Sequence, residues 1–237
     1  MHSDHADHLN FLDTLRGEAL ALVHAIDEHP LLGAVIRGDA SRDHYLAFLR
    51  STYHYVRWSG PLLAETAQGM RAQGGARWLV DLIDAKTDEE SPHDLWVLDD
   101  LRSFGVNVEL LKASPPPRAV TAYVEQSRSL AEAGSPGYLG AAYMLELISA
   151  RRAGTAARNL RARAAITSIE RATSFLDGHG DADTGHVALL EQVLGRIASP
   201  EDQDDICLAA RQMRRLYPRF FTTALPFGTP GSARSAS

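Results

Sequence analysis

Apolar residues return every three or four positions along most of this chain, the period of an α-helix with one buried face. Within residues 9–28, Leu12, Leu15, Ala19, Leu22, Val23 and Ile26 share such a face, and His29-Pro30 closes the helix because a residue before proline avoids the helical region. A short turn is expected over residues 33–39. Ser41 is the N-cap, with His44 at N3, of a helix through Tyr45, Phe48, Leu49, Tyr53, Val56 and Leu63, in which Gly60-Pro61 predicts a kink. From Ala76 a helix bearing Trp78, Leu79, Leu82 and Ile83 runs into an acidic stretch ending at His93. Leu95, Leu98 and Leu101 carry the period on to Gly105, a C′ residue. Prolines 115–117 form a stiff, short connection. Helices are expected over residues 118–133, 136–150 and 155–175. Ser199-Pro200-Glu201 opens a last helix with Ile206, Ala210, Met213, Tyr217 and Phe220. No alternating strand and no repeat interrupts the pattern. The fold class predicted is an all-α, single-domain helical bundle over residues 9–227, between a flexible tail at 1–8 and a disordered tail at 228–237.

Composition narrows the function without naming it. Hydrophobic and charged contents of 45% and 23% are those of an ordinary globular domain. A net charge of −6, with no Lys/Arg run, argues against nucleic-acid binding. Arg151, Arg152, Arg158, Arg161 and Arg163 spread over more than one helical face, as on a solvated surface. Cys207 is the single cysteine, so no internal disulfide forms and a reducing, cytoplasmic setting is expected. The N-terminus carries His2, His5 and His8 among acidic residues and lacks an apolar core segment; neither a signal peptide nor a membrane span is expected there.

The chemistry concentrates in residues 175–186. His179, Asp183 and His186 have the spacing His-x3-Asp-x2-His, which on a helix brings two imidazoles and a carboxylate to one face. Iron, manganese and zinc accept such ligands. Gly178, Gly180 and Gly185 equally suit a polar interhelical loop. The apolar run of Val187, Leu189, Leu190, Val193, Leu194 and Ile197 directly after His186, and poor helix formers where a helix is expected, favour a metal site. One helix cannot complete the coordination. Glu90 and His93 form Glu-x2-His, a pair used by metal-binding bundles, although Asp88, Glu89 and Asp94 make the whole region acidic. Glu146 stands alone in the apolar run 141–148, where a carboxylate is costly to bury unpaired.

The order Glu90-x2-His93, Glu146 after Gly140-Ala-Ala-Tyr-Met-Leu, and Phe175-Leu-x2-His179-x3-Asp183-x2-His186 resembles the haem-oxygenase-like diiron oxidases and oxygenases. Asp99-Asp-Leu-Arg-Ser-Phe-Gly105 adds to the resemblance, which spans roughly residues 29–194. It implies a haem-oxygenase-like helical fold without haem. It also implies two irons held by Glu90, His93, Glu146, His179, Asp183 and His186, with O2 as co-substrate. The reactions implied are N-oxygenation of a small amine or amino acid, or oxidative C–C cleavage, as in specialised metabolite biosynthesis. Where some members carry the first glutamate seven residues before the histidine, this chain has Lys86, and Glu89 competes with Glu90 for the first ligand position. Iron against manganese stays open.

A small-molecule substrate and an electron donor are the partners implied, and a homodimer is admitted. Tyr53, Trp58, Tyr143 and Phe175 are candidate pocket walls, and Arg152 a candidate clamp for a substrate carboxylate. Two other readings compete. A haem oxygenase would need a proximal histidine, for which His24 is the candidate. A metal-free binding protein, or a thiaminase-like relative using Cys207, would leave the six-residue constellation without a purpose.

Overall fold

The computed structural model describes the backbone of residues 2–221 and the side chains of residues 11–180 and 185–221. The Asp183 side chain and the tail at 228–237 lie outside the described residues. Helices α1 (His2–Glu28), α2 (Pro30–Arg37), α3 (Arg42–Val56), α4 (Ser59–Ala72), α5 (Arg77–Glu90) and α6 (His93–Ser103) form the first half. They are followed by α7 (Val108–Ala113), α8 (Arg118–Glu132), α9 (Tyr138–Arg163), α10 (Ser174–Leu194) and α11 (Pro200–Phe220). No strand occurs among the described residues, so the all-α bundle expected from the pattern is the architecture found.

The caps read from sequence are in place. Ser41 Oγ accepts from the His44 amide at 3.2 Å, and Ser199 Oγ accepts from the Asp202 amide at 3.1 Å. Helical backbone in α1 begins at His2, ahead of the Leu9 that the apolar pattern marks. Residues 30–37 are helix, not turn: Pro30 occupies the first turn, His29 Nδ1 caps the Leu32 amide at 3.3 Å, and Gly38 closes the helix at φ 77°. The kink expected at Gly60-Pro61 is a full break at residues 57–58, between α3 and α4.

The expected division near residue 150 is absent, and α9 runs unbroken through Gly154. Its place in the bundle explains this. Helix α9 lies at the centre, against α1, α2, α10 and α11, so burial on several sides holds it helical despite Gly154. At Gly140 a Cβ would stand 2.0 Å from the Ile206 carbonyl oxygen of α11; only glycine admits that approach. Helix α6 bridges α3 and α10, and α4 packs on α5 and α8. No single helix among the described residues is long and apolar enough to cross a membrane.

Candidate metal centre

Three structural details bring the metal candidates together. Pro92 ends α5 at Glu90 and starts α6 at His93, so Glu90 and His93 meet across a helix junction, His93 Nδ1 donating to Glu90 Oε2 at 3.1 Å. Helix α9 supplies Glu146, 8% exposed. Helix α10 is continuous through its glycines, which settles loop against helix for residues 175–186, and it supplies His179 and His186.

The glycines of α10 have a packing reason. A Cβ at Gly178 would lie 2.6 Å from the Trp96 ring of α6, and one at Gly180 would lie 2.7 Å from Gly154 Cα of α9. Gly178 and Gly180 therefore let α10 sink between α6 and α9, which carries His179 inward. The start of α10 is capped from another helix: Asp100 of α6, fully buried, accepts from the amides of Ser174 at 2.8 Å and Phe175 at 3.0 Å. Burial pushes the Asp100 carboxyl up to about 6, against the lowering effect of those two amides.

His179 stacks into a cluster with Phe175 at 4.3 Å, His93 at 4.7 Å and Trp96 at 5.8 Å between ring centroids. Its Nδ1 donates to the Phe175 carbonyl at 2.8 Å. With Nδ1 so engaged in both His93 and His179, each ring keeps its Nε2 lone pair for a ligand. Burial, with His93 beside it, brings His179 down to about 4, so the ring is neutral at physiological pH, the form that binds metal. For Glu90, burial alone would raise the carboxyl, but the His93 hydrogen bond and the Lys86 charge outweigh it and bring it down to about 2.

A second group adjoins the first. Glu89, Glu146 and His186 each offer a ligand atom within 4.8 Å of the others, and His186 Nδ1 stands 3.2 Å from Glu89 Oε1. Glu89 and Glu90 thus both face the site, one toward each group. The resident cation among them is Lys86, whose Nζ lies 2.5 Å from Glu146, 3.2 Å from Glu90 and 3.4 Å from Glu89. Desolvation is outweighed by these carboxylates, which hold the ammonium well above its ordinary range. Two adjoining groups of carboxylate oxygens and imidazole nitrogens are a donor set that fits divalent first-row ions, with Lys86 filling part of the oxygen shell. In the sequence Lys86 stands out only through the family resemblance, as a departure from what some members carry at that position. Its i−4 spacing to Glu90 was the available signal.

The pocket residues divide. Phe175 lines a cavity with Tyr55, Ser59, Glu90, Glu146 and His179, and a second, more apolar one with Ile26, Leu32, Phe48 and Tyr217. Arg152 lines the second cavity, but Asp27 grips its guanidinium at 2.7 and 2.5 Å. Tyr53 and Trp58 line neither; the Arg57 guanidinium packs over both rings, at 5.4 and 5.6 Å. Tyr143 also points elsewhere, its hydroxyl donating to Glu191 at 2.8 Å. Aromatics at helical spacing serve the core here, since burial selects them whether or not a ligand is near. His24 is on the surface beside Glu28, its side chain 75% exposed, which leaves a haem reading without its proximal ligand. Cys207 is buried in α11 and lines neither cavity.

The family described as iron-containing redox enzyme matches residues 46–217. Among solved structures, a domain of unknown function with a haem-oxygenase-like fold from Shewanella denitrificans OS217 superposes with a TM-score of 0.76 at 20% identity, covering 89% of this chain and 90% of that one. A TenA homologue from P. horikoshii OT3 gives 0.69 at 15% identity, covering 89% and 96%. PF1337, a TenA homologue from Pyrococcus furiosus, gives 0.68 at 14%, covering 89% and 98%. At these identities the likeness is one of fold, and that fold is haem-oxygenase-like. No curated protein matches the chain.

Proposed function

The chain belongs to the iron-containing redox enzymes, and from that premise we propose that it is a non-haem, two-iron oxidase or oxygenase using O2. The observation that carries the reading is the convergence, from four helices, of Glu90 and His93 with His179 and of Glu89 and Glu146 with His186, two adjoining groups of which Glu90, Glu146 and His179 line the inner cavity. Asp183, on the same helix between the two histidines, belongs to the proposed set by its spacing. Iron held by these residues would supply the electrons for O2 activation, with an external donor to restore them.

The protein's own part is binding, orientation and dryness. Phe175 and Tyr55 wall the cavity beside His179, and the second cavity offers an apolar body somewhere to lie, with Phe175, Tyr55 and Ser149 common to both. The preferred substrate is a small amine or amino acid, following the resemblance in sequence, and N-oxygenation or oxidative C–C cleavage the reaction. A substrate carboxylate that reached Arg152 would exchange with Asp27.

Anaerobic loading with Fe(II), metal counting and an O2 pulse test this. About two irons per chain and O2 consumption are expected, each strongly reduced in Glu146→Ala and His186→Ala. A purified chain that takes up no iron, with both variants indistinguishable from the parent, would overturn the reading.

A further inference from the structure

Among the described residues of the nest, the Lys86 ammonium stands outside the proposed ligand set. Its side chain is 13% exposed, and Nζ sits among the carboxylates of Glu146, Glu90 and Glu89 at 2.5, 3.2 and 3.4 Å. Several carboxylate oxygens around one cation is the kind of shell a divalent ion takes. An ion held by Glu89, Glu146 and His186 would share two of its three donors with Lys86. Two cations on the same two carboxylates repel strongly where water is scarce, so the ammonium and the ion exclude each other.

Lys86 also has somewhere to go. It lines the inner cavity with Glu90, Glu146 and His179, and an outer cleft between α5 and α10 with Leu82, Glu89, His186 and Leu189. Its four-carbon stem can carry the charge out along that cleft, away from Glu146 and Glu90; Glu89 and His186 line the cleft too, so the ammonium must pass beyond both to free the donors of the ion. The group of Glu90, His93 and His179 touches Lys86 only through Glu90.

We propose that Lys86 is a placeholder for the second ion: a first ion enters at Glu90, His93 and His179, and a second enters at Glu89, Glu146 and His186 only as the ammonium gives up Glu89 and Glu146 and moves outward. This rests on the two-iron reading above. It makes Lys86 a positioning residue that sets the order and the affinity of loading.

Anaerobic titration of the full chain with Co(II), followed by ligand-field absorbance and by dialysis with metal counting, distinguishes the outcomes. The parent should show two steps, the second weaker. In Lys86→Met, of similar length but neutral, the second step should tighten by about tenfold or more and the first should move less. Lys86→Arg, which keeps the charge, should leave the second step weak. Circular dichroism checks folding, and Lys86→Gln replaces Lys86→Met if the latter misfolds. A second step equal in the parent and the neutral variant, or two equally tight steps in the parent, overturns the placeholder while leaving the metal centre standing. A single ion in every protein does the same and removes the second iron. No Co(II) bound by any of them overturns both.

Discussion

Asp100 shows how one buried carboxylate can position a metal ligand that it does not touch. By accepting from the amides of Ser174 and Phe175 it fixes the first turn of α10, one turn before His179. Removing it in Asp100→Ala leaves two amides without a partner, at a cost of about 1–3 kcal/mol that a urea melt will read. Its titration gives a separate test. The folded protein holds this carboxyl at about 6 against an ordinary value of 3.8, so its contribution is fully present below 3.8 and is lost as pH rises through 6. Thermal melts of the parent and Asp100→Asn across that interval should therefore show the parent's margin over the variant shrinking as pH increases; a margin that widens contradicts the assignment. Nothing in the run Leu98-Asp-Asp-Leu101 distinguishes Asp99, exposed and paired with Arg102, from Asp100 except its position in the helical period.

Among the elements, α10 carries the sharpest conflict between local preference and final structure. Three glycines within residues 178–185 disfavour a helix by about 1 kcal/mol each relative to alanine, yet α10 is unbroken. Contacts resolve the conflict at two of them, since Trp96 and Gly154 lie where side chains would be, while Gly185 has nothing within 4 Å. Gly180→Ala should destabilise the chain by about 1–3 kcal/mol and weaken iron binding, because α10 must withdraw from α9. Gly185→Ala should stabilise it slightly, by up to about 1 kcal/mol; a matched pair of denaturant curves checks both. The periodicity and caps that placed α3, α8 and α11 were legible because they depend on neighbours in sequence. The unbroken α9, the helix at Pro30–Arg37 and the departure of Tyr53, Trp58 and Tyr143 from the pocket depend on packing between elements, which no local pattern encodes.

For the molecule as a whole, the centre joins α5, α6, α9 and α10, so ions bound there would tie helices far apart in the chain. Stability should then depend on metal concentration, rising by about 2.7 kcal/mol at a hundredfold excess over the dissociation constant. A melting temperature unmoved by Fe(II) or Co(II) would mean that the ions do not bridge these helices. Helix α6 has a particular part in that assembly. His93 and Asp100 are seven residues apart on one face, and both meet α10: His93 against His179, Asp100 against the helix start. At about 1.5 Å of rise per residue, the stretch between them is a ruler of about 10 Å. It sets the register of two ligand-bearing helices by its length alone. Adding or deleting one residue there would turn His93 and Asp100 about 100° out of phase, so α6 should tolerate changes of composition far better than changes of length.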